Sequence, residues 1–245
     1  MKFYKFIFIL TILMSPVNAN TIYNLIKIPN LEIYKANSVN GIKYLRATKP
    51  FQVGIRNDNV TCFDTKNKNI KEKFNSIEKN FNKYKSDFLK KINLKYIVMC
   101  ENLSVSEINT AGVPNYKMKT LIIDLNFNEI FFERVIHHEV FHIIYDSYKK
   151  EKLDNEWKNI NDSKFEYAKC STCSKRLNLS LIEKSKGFVT EYSMSTASED
   201  MAEVFSFLMV SKKKIEKQSL KDPILKDKIS FIKKYILEID NNFTF

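Results

Sequence analysis

Arginine is scarce in this chain. Only four of its forty basic residues are arginines, at positions 46, 56, 134 and 176. Sites that grip phosphate or nucleic acid lean on the planar, bidentate guanidinium. The lysines are scattered among asparagines and isoleucines and read as a solvated surface, so no nucleic-acid partner is expected despite the net charge of +12. Long apolar runs are lacking as well. The run Phe6–Met14 falls short of the roughly 20 residues that span a bilayer. Lys2 and Lys5 precede it and Val17-Asn18-Ala19 follow, so residues 1–19 read as a signal peptide cleaved near Ala19. That implies a secreted or periplasmic protein, with a charge of +10 once Lys2 and Lys5 are removed. No cysteine follows the cleavage point to take a lipid anchor, and no transmembrane segment is expected in the mature chain. Four glycines and five prolines punctuate the sequence, and there is no internal repeat.

Four cysteines, all in the mature part, form an even set with three possible pairings. Export favours disulfides, and Cys62–Cys100 with Cys170–Cys173 is the preferred arrangement because the last two are close in sequence. A zinc ribbon needs a second close pair, which Cys62 and Cys100 do not form. A redox dithiol at Cys170-Ser-Thr-Cys173 lacks the surrounding βαβ pattern.

Residues 20–70 read as a β-rich region, with Leu31–Ala36 and Ile42–Ala47 flanking an Asn40-Gly41 turn. Residues 71–245 read as one further unit. In Lys71–Ile92 the apolar residues Phe74, Ile77, Phe81, Tyr84 and Phe88 fall at helical spacing. Strand-like runs Lys95–Cys100 and Met118–Leu125 follow, separated by a polar loop containing Gly112-Val113-Pro114. A buried helix is expected from about Asn128 to Ser147. The polar stretch Lys149–Lys186 resists assignment. Two last helices begin near Ser198 and at Asp222-Pro223, the latter with a good cap and proline in its first turn. The order of elements is that of an α+β fold.

All three histidines lie in His137-His138-Glu139-Val140-Phe141-His142. On a helix, His138 and His142 project from one face on adjacent turns and can bind a single zinc ion. Glu139, offset by one position, stands beside that ion, where it can polarise a water. His137 points about 100° away, on the face of Phe141 and Ile144, and reads as a core-edge histidine with a nearby hydrogen bond.

A catalytic zinc needs a third protein ligand and leaves a fourth position for water. With no spare histidine, that ligand is a carboxylate or, less often, a thiolate. Tyr145 and Tyr148 stand where a metzincin has its glycine and third histidine, which excludes that pattern. Downstream, Glu199 and Glu203 lie four apart near the start of a helix whose other side is apolar. Two inward carboxylates are costly unless a cation compensates them. Glu199 as ligand, with Glu203 as partner of a zinc-bound imidazole, meets that need.

These motifs resemble the gluzincin metallopeptidases, which combine the HExxH helix with a glutamate on a second helix. Within that group the chain is similar to the catalytic domain of anthrax toxin lethal factor and related secreted zinc-binding metallopeptidases. The resemblance rests on His138-Glu139-x-x-His142, on Gly187-Phe188-Val189-Thr190-x-Tyr192 and on Glu199-Asp200-x-Ala202-Glu203. A weaker echo is Trp157 with Asn161 and Phe165-x-Tyr167, and the match covers about residues 90–240. It implies a zincin-like fold with a small mixed sheet, an active-site helix and a helical C-terminal part. It also implies a role for Tyr192, seven residues before the glutamate ligand, in stabilising the reaction's oxyanion. A protein or peptide substrate would lie antiparallel along an edge strand beside the active-site helix, for which Met118–Leu125 is the candidate.

The resulting expectation is a secreted zinc endopeptidase with one Zn2+ on His138, His142 and Glu199, Glu139 as general base and Tyr192 as oxyanion donor. Two other classes stay open. One is a non-enzymatic zinc-binding or adhesion module on the same scaffold, which has no need of Glu139 or Tyr192. The other is a different zinc hydrolase such as a peptide deformylase, whose cysteine ligand and glycine-rich motif are not apparent.

Overall fold

A computed structural model of the protein describes residues 30–55, 58–183 and 186–245. The signal peptide expected over 1–19 lies outside the described residues. The fold is α+β, with an eight-stranded mixed sheet that curls and helices packed against one face. The sheet is larger than the small one expected.

Strand β5 (Tyr96–Val105) is its axis. The first half of β5 lies between β2 (Lys43–Ala47) and β8 (Thr120–Asp124), parallel to both. Its second half pairs antiparallel with β4 (Asp58–Phe63) and with the short β6 (Ile108–Asn109). Strands β1 (Leu31–Lys35), β3 (Phe51–Ile55) and β7 (Gly112–Asn115) add antiparallel to β2, β4 and β8. The expected β1–β2 pairing therefore forms, although seven residues rather than a two-residue turn connect the strands.

Alternation along β5 and β8 divides the core, because successive strand side chains point to opposite faces. Ile97, Met99, Leu121 and Ile123 face the helices and join the main core. Tyr96, Val98, Cys100 and Ile122 face the other side, where Phe51, Val60 and Cys62 of the β3–β4 hairpin cover them. The Cys62–Cys100 disulfide lies inside this second core, with both cysteines fully buried, and Cys170–Cys173 forms the other bridge. Both preferred pairings are present.

The run Lys71–Ile92 is two helices rather than one, α1 (Asn67–Phe81) and α2 (Ser86–Lys91). The break between them lets Tyr84 reach His137. That imidazole is fully buried, 2.5 Å from the Tyr84 hydroxyl and 2.9 Å from Asn80 Oδ1. It therefore belongs to the core proper, rather than its edge, and burial holds its pKa well below the ordinary value.

Helix α3 (Glu129–Tyr148) is capped by the Asn128 side chain, which accepts from Ile130 N. It is apolar on nearly every side, as a helix between a sheet and other helices must be. The stretch after it holds the short helix α4 (Leu153–Lys158). Helix α5 (Ala197–Val210) packs against α3, followed by α6 (Lys212–Ser219) and α7 (Pro223–Ile239). Asp222 accepts from Leu225 N and Pro223 opens α7, as the capping signals predict. Among the described residues, no helix is long and apolar enough to cross a membrane.

Candidate metal centre

The histidine pair is built by α3 and the carboxylate pair by α5. Thr196 caps α5 by accepting from Glu199 N, and the first-turn acids Glu199 and Asp200 suit the positive end of the helix dipole. Across the two helices, His138 Nε2 lies 2.9 Å and His142 Nε2 3.2 Å from the same atom, Glu199 Oε2. The two Nε2 atoms are 3.1 Å apart. Ligand atoms about 2.0–2.1 Å from a tetrahedral zinc ion lie about 3.3 Å from one another. The three donors thus have the chemistry and nearly the spacing of a zinc face, and His138, His142 and Glu199 could hold a metal ion.

His138 is oriented from behind. Its Nδ1 lies 2.9 Å from Glu203 Oε1, so that nitrogen carries the proton and Nε2 is left as the donor to a metal. Glu203 is itself held by the Arg134 guanidinium at 2.5 Å and the Thr190 hydroxyl at 2.8 Å, both on Oε2. Arg134, one turn before His138, also donates to Leu179 O and lies over the Phe207 ring. Burial alone would raise the Glu203 pKa, but the His138 hydrogen bond and the Arg134 charge outweigh it and keep the carboxyl ionised. Burial likewise opposes charge on His138, yet its bonds to Glu199 and Glu203 lift the metal-free imidazole to about 10.

Glu139 sits beside the centre and is 8% exposed. Burial pushes its pKa up to about 7, while the neighbouring histidines pull the other way. It packs against the backbone of β7: a Cβ on Gly112 would lie 2.6 Å from Glu139 Cγ. Residues 112–114, expected as a loop, are the edge strand that touches the acid. The expected edge, Met118–Leu125, instead forms β8, which is paired on both sides by β5 and β7. A strand in that position has no free backbone to offer, so the edge beside α3 is β7.

Tyr192 opens a 3-10 turn, Tyr192–Met194, with its ring centroid 5.9 Å from that of His138. Burial raises its pKa well above the ordinary tyrosine value, and the carboxylates of Glu199 and Glu139 push the same way. The phenol therefore keeps its proton.

The remaining motif residues explain one another. Gly187 has a φ of +81°, and a Cβ there would lie 2.3 Å from Ile224. Its carbonyl accepts from Lys228 Nζ and its N–H donates to Asp222 Oδ2. Phe188 lies 3.7 Å beneath the Lys228 ammonium, and Val189 fills the core. Lys228, fully buried, also pairs with buried Asp200 at 2.6 Å. Trp157 Nε1 and the Tyr167 hydroxyl donate to that same Asp200 oxygen, and Asn161 donates to Tyr167. The scattered Trp157, Asn161, Phe165 and Tyr167 are thus one assembly around the residue next to Glu199, with Phe165 against Phe188 at 4.4 Å. Sequence reasoning missed Arg134, Gly112 and Lys228. Scarcity of arginine and glycine was the available signal for the first two, and among thirty-six lysines nothing marked Lys228.

The family described as "Putative zinc-binding metallo-peptidase" matches residues 14–241. No curated protein matches the chain. Among solved structures, a "putative zinc-binding metallo-peptidase from Bacteroides caccae" is similar at 20% identity over 70% of this chain and 67% of that chain, with a TM-score of 0.42.

Proposed function

Because the chain belongs to this family of zinc-binding metallo-peptidases, we propose that it is an exported, gluzincin-type endopeptidase acting on protein or peptide substrates. The observation that carries the reading is the convergence of His138 Nε2, His142 Nε2 and Glu199 Oε2 beside the buried Glu139. The finer likeness to the lethal factor catalytic domain rests on the sequence motifs alone. Residues 1–19 are proposed as the signal and 71–245 as the zincin-like catalytic unit. Residues 20–70 would contribute strands, since β2 and β4 pair with β5.

In this mechanism His138, His142 and Glu199 would hold one zinc ion. When bound, zinc supplies Lewis acidity to the scissile carbonyl and makes an attacking water a stronger acid. Glu139 accepts the water's proton and passes it to the leaving amine, a role that fits a carboxyl with a pKa near neutrality. Tyr192 donates its retained proton in a hydrogen bond to the developing oxyanion, an interaction of about 3 kcal/mol per donor. The backbone of β7 receives the substrate as an added antiparallel strand.

Glu139→Gln is expected to keep one zinc per chain while losing turnover by about 10²- to 10⁴-fold. Cleavage at the wild-type rate would remove Glu139 from the mechanism. In Glu199→Ala the metal should be lost; stoichiometric zinc would place the third ligand elsewhere. Turnover of a mixed peptide library separates the enzyme from a zinc-binding module, which has no use for Glu139 or Tyr192.

A further inference from the structure

Between Lys158 and Tyr192 the described residues form one regular element, the 3-10 turn Ser171–Cys173. The chain around that turn clasps the Tyr192 turn from two directions. On one side Ala168 N donates to Ser195 O at 2.9 Å. On the other, Tyr192 N donates to Asn178 O at 3.2 Å and Arg176 Nη1 to Met194 O at 3.0 Å. Cys170 and Cys173 lie between those two attachments and are joined to each other, with Cα atoms 5.1 Å apart. The ring they close holds Ser171 and Thr172, in the 3-10 turn between the two attachments.

The bridge is open to solvent on the Cys173 side, and Cys170 is half-buried. Cys62 and Cys100 are fully buried, so a thiol reagent reaches one disulfide and not the other. Exposure is what makes a disulfide labile to exchange. A ring this short also constrains little of the unfolded chain, so its main effect is on local shape.

We infer that the Cys170–Cys173 disulfide is a redox-sensitive strap that positions Tyr192 through the clasp 168–178. The inference rests on the proposed role of Tyr192. In exchange with a dithiol, one thiolate attacks Cys173 Sγ, and Cys170 leaves as a thiolate that takes up a proton. The second thiol then attacks the reagent's own sulfur and releases Cys173. Two electrons and two protons pass to the protein, and the dithiol becomes a disulfide. The loosened ring no longer fixes the two attachments, so turnover falls in reducing surroundings and is restored by oxidation. The competing reading is a small staple that leaves Tyr192 where it is.

The test uses the full zinc-loaded chain. Cys170→Ser/Cys173→Ser is expected to lower kcat about tenfold while KM and zinc content hold. Tyr192→Phe should lower kcat by about 10²-fold, and adding the serine pair to it should cost nothing more. A serine pair within twofold of wild type, or one equally costly in the Tyr192→Phe background, overturns the strap. A Tyr192→Phe protein as fast as wild type overturns the role of Tyr192 and the strap with it. A readout independent of turnover keeps the two failures apart: tyrosine rings are labelled with ¹³C, and Tyr192→Phe assigns the signal. That signal is expected to shift in the serine pair, and an unmoved signal overturns the strap whether or not the protein cleaves peptides.

Discussion

Glu203 accepts from three side chains at once, and the consequence falls on His138. Without metal, burial disfavours a charged imidazole there, but Glu199 and Glu203 prevail and raise its pKa to about 10. At neutral pH the proposed ligand therefore carries a proton that a metal would have to displace. Protons compete with zinc below that pKa, so zinc affinity is expected to rise with pH, about tenfold per unit for each proton displaced. Competition against a chelator between pH 6 and pH 8 measures this. A flat profile would mean that the histidines are already neutral. Glu203→Ala leaves His138 unoriented and Arg134 without its carboxylate, and zinc affinity should fall about 10- to 100-fold. Much of this was legible in the sequence. His138, Glu139 and His142 are set by one local period, and two acids on an apolar helix call for a cation. Arg134 and Thr190 were not, because their shared partner is fixed by how distant segments meet: 69 residues separate Arg134 from Glu203.

Among elements, β7 is one that sequence patterning misread. Gly112-Val113-Pro114 has turn chemistry, and a four-residue edge strand has little alternation to display. Its importance lies in closeness: only a residue without a Cβ lets the strand lie against Glu139. Gly112→Ala is expected to displace the acid and lower kcat/KM by about 10- to 10²-fold, with zinc content and the cooperativity of unfolding kept. An unchanged kcat/KM would show that the acid yields at no cost. The long helices were easier to read. Asp222 caps where the sequence places it, and Asn128 and Thr196 cap close to the expected helix starts, because capping is a local interaction. The break between α1 and α2 escaped notice because Phe81, Tyr84 and Phe88 keep helical spacing across it. Tyr84 leaves the helix to meet His137, which lies 53 residues away.

On the scale of the whole molecule, β5 carries the architecture and the Cys62–Cys100 bridge ties it to the β3–β4 hairpin. Closing a loop of 38 residues confers about 4 kcal/mol by the chain-entropy estimate, against about 2 kcal/mol for the Cys170–Cys173 ring. Replacing Cys62 and Cys100 with alanine is therefore expected to lower Tm by on the order of 10 °C, while the serine pair at 170 and 173 shifts it by about half as much. Calorimetry of the two variants checks the order; equal shifts would contradict it. The α+β plan could be read from the order of elements, but the parallel placement of β2 beside β5 could not, since both register and neighbour are chosen by the curl of the sheet. That placement has a consequence in time. Strand β5 waits for partners from both directions along the chain, and Glu199 and Glu203 are synthesised some sixty residues after the histidines they meet. A growing chain thus passes through a long stage with two of the three proposed metal ligands and no complete set. On the proposed function, competence to cut arrives late in assembly, so a newly made molecule would spend its vulnerable, partly folded period without the means to digest itself or its neighbours.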